Sequence, residues 1–183
     1  MASSRLSKLV LLLVVLAVSA AAQAPTRVRG RITAVDEDVV SVDNKVRVRV
    51  GEKTEIVYAQ PIALADIRPG DFVGVTSTRR ADGTLTAYEV RRFPKPLNPG
   101  HRPFDGRDDQ TMTNATVAAI VQSTSGRELN LTYEGGAQKI VVPESASVSA
   151  LVPGSRAQLL PGAPVNLTMD GNGVALRLQV SPP

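Results

Sequence analysis

Cysteine and tryptophan are both absent from the 183 residues, and there is a single histidine, His101. Without cysteine, disulfides, thiol nucleophiles, iron–sulfur clusters and c-type haem attachment are all excluded. With one histidine and no cysteine, a zinc set of imidazole and thiolate ligands cannot be assembled. Aromatics are scarce, three Tyr and three Phe, so a run of stacking platforms for single-stranded nucleic acid is missing. No Gly-x-Ser-x-Gly elbow and no phosphate-cradling glycine loop occurs. A Ser-His-Asp triad would have to use His101, which sits in a proline-rich stretch. The expectation is a protein that is not an enzyme and carries no cofactor. No segment after the N-terminus is long and apolar enough to cross a membrane, and no sustained helical period follows it.

What is present begins with Arg5 and Lys8 ahead of an apolar run, Leu9 to Val18, too short to span a bilayer comfortably. Ala20-Ala-Ala22 is a small-x-small site, and cleavage after Ala22 avoids placing Pro25 in the cut. Residues 1–22 are expected to be a signal peptide, and the protein periplasmic or secreted. The whole chain carries +4; removing two basic residues and no acids leaves +2. That weakens any case for nucleic acid drawn from charge alone. Residues 25–93 hold 12 Lys/Arg and 10 Asp/Glu, whereas 113–183 hold four of each.

The remainder reads as strands, and it reads twice. Val46, Val48 and Val50 alternate with Lys45, Arg47 and Arg49; Val28 and Ile32 oppose Arg27, Arg29 and Arg31. Arg68-Pro-Gly-Asp71 leads into Phe72-Val-Gly-Val75, and Leu160-Pro-Gly-Ala163 leads into Val165-Asn-Leu-Thr-Met169. Each is followed by a glycine hairpin, Ala81-Asp-Gly83 and Asp170-Gly-Asn-Gly173, and a closing strand. Pro61–Ile67 breaks the alternation as one or two helical turns, with Ser155–Leu160 in the same place later on. The expected fold class is all-β: two tandem small OB-like β-barrels, or alternatively SH3-like ones, over 25–93 and 113–183. Residues 94–112, with four prolines and two glycines, are expected to be a linker without regular structure.

Val28-Arg-Gly-Arg-Ile32, Leu64-Ala-Asp-Ile-Arg-Pro-Gly-Asp-Phe-Val73 and Ala87-Tyr-Glu-Val90 together resemble the exported bacterial domain-of-unknown-function family 5666. Gly100-His-Arg-Pro-Phe-Asp105 and Met112-Thr-Asn-Ala-Thr-Val117 resemble the junction of its two-domain members. The resemblance implies export and a barrel-like fold, with the second copy divergent at Pro161-Gly-Ala163. It implies no activity, cofactor or catalytic residue.

Two constellations carry chemistry. Arg27, Arg29, Arg31, Lys45, Arg47 and Arg49 would form a basic binding face if their strands paired, although Asp36, Glu37, Asp38, Asp43, Glu52 and Glu55 lie nearby. His101 with Asp105, Asp108 and Asp109 offers metal-ligand types at loose spacing. The leading expectation is a non-catalytic binding or scaffolding protein of the cell envelope, with an envelope protein or polymer as partner and nucleic acid disfavoured. The alternative is a metal- or anion-binding accessory protein using the His101/Asp linker.

Overall fold

Inward valines and outward charges set the sheet. The computed structural model describes residues 24–123 and 126–183; the expected signal peptide lies outside them. Six strands make a first run: β1 (Thr26–Asp36), β2 (Val39–Val42), β3 (Val46–Arg49), β4 (Glu55–Pro61), β5 (Phe72–Arg79) and β6 (Leu85–Phe93). After β7 (Gly100–Phe104) come six more: β8 (Arg107–Ser123), β9 (Gly126–Tyr133), β10 (Gly136–Val142), β11 (Ser147–Pro153), β12 (Pro164–Met169) and β13 (Ala175–Val180). Two short 3₁₀ turns, Leu64–Asp66 and Arg156–Gln158, replace the expected helical turns. The protein is all-β, as the alternation requires. Val40, Val42, Val48 and Val50 are buried while Arg47 and Arg49 between them are exposed. Asp43 and Asn44, both with positive φ (50° and 54°), make the tight turn between β2 and β3.

The strands do not close on themselves run by run. In one barrel-like ring the order is β3-β2-β1-β12-β13, and the parallel bridge Arg49↔Val174 brings its ends together. In the other it is β10-β9-β8-β5-β6, with β10 returning to β6 through Ile140↔Leu85 and Val141↔Thr86. Each ring therefore takes three strands from one run and a hairpin from the other. The cores follow the same rule. Ile32, Val40, Val42, Val48 and Val50 pack with Leu159, Ala163, Val165, Leu167, Ala175, Leu178 and Val180. Ile67, Val73, Val75, Leu85, Ala87 and Val90 pack with Ala115, Val117, Leu129, Leu131, Ile140 and Val142.

The division into 25–93 and 113–183 as two separately packed units is thus not the one the side chains follow. β4 and β11 are the arms of the exchange. They pair antiparallel, Ala59 opposite Leu151, and run parallel to β13 and β6 respectively. Val57, Ala59 and Leu151 bury one another there, with Phe93 against them. Each Pro-Gly turn clamps the first strand of the opposite run. Gly70 N–H donates to Val117 O (2.8 Å) and Val117 N–H to Asp71 O (2.8 Å). Ile32 N–H donates to Ala163 O (2.9 Å) and Gly162 N–H to Ile32 O (2.7 Å). This is strand exchange of the kind that links swapped dimers, here within one chain.

The expected linker is also more ordered than its prolines suggested. β7 and the start of β8 form a hairpin turning at Asp105-Gly106, both at positive φ. Pro103 is accommodated because β7 pairs only with β8, leaving its missing N–H on an edge. Within 94–112, backbone outside the two strands and their 105–106 turn is confined to residues 94–99.

Candidate functional site

Because hairpins cross between rings, the outer face of β1, β12 and β13 comes to lie beside β6 and the β7–β8 hairpin. A groove of about 380 Å³ runs there. Its floor on the first ring is a single rung of the sheet: Arg29 opposite Asn166 in β1–β12, and Asn166 opposite Gln179 in β12–β13. Asn166 and Gln179 are half-buried, and neither side-chain amide has a hydrogen-bond partner among the described residues.

The facing wall brings Tyr88, Glu89 and Arg91 from β6, Met112 from β8, and Phe104 and Asp105 from the hairpin tip. Arg29 is held twice. Its guanidinium bonds the Asp105 carboxylate and lies over the Phe104 ring, 5.0 Å from the centroid. Arg91 donates to Glu89 Oε1 through Nε (2.8 Å) and Nη2 (2.5 Å). Tyr88 presents an exposed ring, and its hydroxyl donates weakly to Gln110 Oε1 at 3.4 Å. Partial burial, then the Glu89 and Asp105 charges, push the Tyr88 phenol above its ordinary value, so it stays protonated and a donor.

Two other depressions differ in chemistry. The larger, about 540 Å³, lies beside the first 3₁₀ turn, between Ile62, Leu64, Arg127 and Glu144. The other, about 380 Å³, is a largely apolar cleft walled by Val57, Phe93, Pro94, Pro96 and Leu97. Size favours the first; of these three depressions the ring junction is the one that joins exposed aromatic surface to unpaired amides and paired charges, and we take that chemistry as decisive.

The residues singled out in the sequence are placed as follows. β2 lies between β1 and β3, so the two basic stripes do not pair. Arg27, Arg29, Arg31, Lys45, Arg47 and Arg49 are all exposed, yet several are spent locally. Arg29 binds Asp105, Arg31 donates to Gly162 O at 2.8 Å, and Arg49 lies 3.7 Å from Asp38. A continuous basic face is not formed. His101 Nδ1 shares a hydrogen bond with Thr113 Oγ1 (2.8 Å), and burial, then the Arg79 charge, lowers its pKa below the ordinary 6.5. Asp109 is held by Arg107 through two bonds of 3.0 Å, which lower its pKa, and Asp105 by Arg29. Asp108 is exposed. Among the described residues no three His, Asp or Glu side chains group as metal ligands. The four linker residues are not drawn together.

Of the groove residues, Asn166, Gln179, Glu89 and Arg91 were not singled out by sequence. Residues 166 and 179 are both polar and outward, but they lie four and six positions from the Asp170–Gly173 turn, and it is the register shift at Thr168/Met169 that sets them opposite each other, which the sequence does not show.

The fold and groove define a class: an all-β protein built from two interlocked rings of strands, with a polar-aromatic cleft at their junction. Within it, residues 29–91 match the model of DUF5666, a domain of unknown function. No curated protein and no solved structure matches the chain.

Proposed function

We propose that the protein is a non-catalytic, exported binding module of the cell envelope whose ligand seat is the groove between the rings. The observation that carries this is the pair of unpaired, half-buried amides of Asn166 and Gln179. A half-buried amide that makes no bond inside the chain gives up water when anything covers it, so it must be repaid by a hydrogen-bonding ligand. The absence of catalysis is supported by what the ionisable groups are doing. Glu89 and Asp105 each hold an arginine, and His101 faces a threonine rather than a carboxylate. Export is supported by the short apolar run behind Arg5 and Lys8.

We also read β8–β13 as a second, divergent copy of the domain that matches at 29–91. The support is that β1–β6 and β8–β13 pair in the same pattern. Three meandering strands followed by a hairpin agree with a five-stranded, partly open barrel of the OB kind.

The test is co-sedimentation of the purified protein with isolated envelope material. Retention at about 0.5 M salt, where exposed charge pairs are screened, is expected. Protein left in the supernatant under these conditions overturns the proposal.

A further inference from the structure

We propose that the junction groove seats an extended chain of neutral saccharide units, a reading that rests on the binding role proposed above. Three features of the groove converge on this class of ligand.

The first is the rung Arg29–Asn166–Gln179. Adjacent strands are about 4.8 Å apart. That is close to the length one pyranose adds to an extended chain. A glycan running across the strands would therefore meet a guanidinium and two amides in succession, at about the spacing of its sugars. Each amide offers an acceptor and two donors, the set that a vicinal pair of hydroxyls needs.

The second is aromatic surface. Tyr88 is 41% exposed on the facing wall, with Phe104 near it at the hairpin tip. The face of an aromatic ring is electron-rich, and the axial C–H groups of a pyranose are electron-poor, so the two stack. Arg29 covers Phe104, which leaves Tyr88 as the ring available to a ligand.

The third is charge. The groove holds Arg29 and Arg91 against Asp105 and Glu89, each arginine already on its carboxylate. A polyanion would approach two acids and a cation two guanidiniums, whereas a neutral polyol disturbs neither pair. The volume of about 380 Å³ lies in the small-ligand range and holds about two pyranose rings.

The experiment titrates the purified protein with cellotriose, N-acetylated chitotriose and maltotriose, and separately with a heparin-derived oligosaccharide. The readout is the side-chain amide NMR signals of Asn166 and Gln179. At least one neutral trisaccharide is expected to shift both signals, saturating between micromolar and millimolar concentration. Tyr88→Ala should weaken that binding by about tenfold or more, and Tyr88→Phe, which keeps the ring, should restore it. Gln179→Leu should weaken it as well. Both positions face outward, and unchanged thermal melting of each variant confirms the fold. The proposal is overturned if no neutral trisaccharide moves the two signals, if Tyr88→Ala and Gln179→Leu bind like the parent, or if the heparin fragment binds more tightly. If envelope material is still retained by the parent while no neutral saccharide binds, the saccharide assignment falls and the binding role stands.

Discussion

Cutting the chain between Pro96 and Leu97 should not release two domains. The cut falls in the exposed stretch 94–99, leaving β1–β6 on one fragment and β7–β13 on the other. Leu159, Val165, Leu167, Leu178 and Val180 of the second fragment are buried in the ring begun by the first. At about 1.5–3 kcal/mol for each fully buried aliphatic side chain, about 8–15 kcal/mol crosses the cut there. Ile67, Val73, Val75, Leu85 and Val90 make a similar crossing into the other ring. The two together, about 15–30 kcal/mol as an upper estimate, stand against an association cost of about 4–15 kcal/mol. Holding the fragments together at micromolar concentration needs about 8 kcal/mol net. A protease site inserted at 96/97, cleavage, then gel filtration and thermal melting would measure this. The cut protein should elute as one species of unchanged size, melt in a single transition, and show a Tm that rises with concentration. Two folded fragments eluting separately, each with its own melt, would refute the exchange.

Two further outcomes follow from local geometry. Arg156 donates to the Val50 carbonyl and, at 3.3 Å, to that of Glu37, tying the second 3₁₀ turn to the opposite run; Arg156→Leu should cost about 1–3 kcal/mol in urea denaturation, and an unchanged midpoint would refute the tie. His101 has its pKa lowered in the folded protein by burial and Arg79, so the unfolded chain takes up the proton first. Stability should be full above the ordinary value of 6.5 and decline as pH falls below it, and His101→Gln should remove that part of the slope in pH-dependent melting.

The strands were legible because alternation is local. Val46 to Val50 shows its inward face in five residues, and the Pro-Gly turns mark where each hairpin begins. The exchange was not legible, for a reason that is also local. Val165 and Leu167 present the same inward pattern as Val73 and Val75, so either hairpin satisfies either ring, and nothing in the period of a strand names its partner. What selects the exchanged form is nonlocal: the antiparallel β4–β11 arms and the apolar cluster of Val57, Ala59 and Leu151 that they bury. Residues 100–112 were misread for the opposite cause. The prolines of 94–103 argue against a central strand, and the observed β7 is an edge, where Pro103 has no ladder bond to break.

The groove was hidden with the exchange, since its two walls meet only when hairpins have crossed. It also depends on the two runs having diverged. By position after the Pro-Gly turn and along the ladders, Arg29, Asn166 and Gln179 correspond to Asn114, Gly74 and Arg91 in the other ring. That second rung is closed. A Cβ on Gly74 would come within 2.5 Å of the Phe93 ring and 2.9 Å of Asn114 Oδ1, and the Asn114 amide is taken by the carbonyls of Leu97 (2.9 Å) and Asn98 (3.2 Å). The glycine lets Phe93 lie against the strand, edge-on to Phe72 with centroids 6.2 Å apart. The chain leaving β6 thus fills on one ring the surface that stays uncovered on the other. Near-symmetric pairing therefore yields one open rung rather than two, and a ligand bound there should saturate at one per chain.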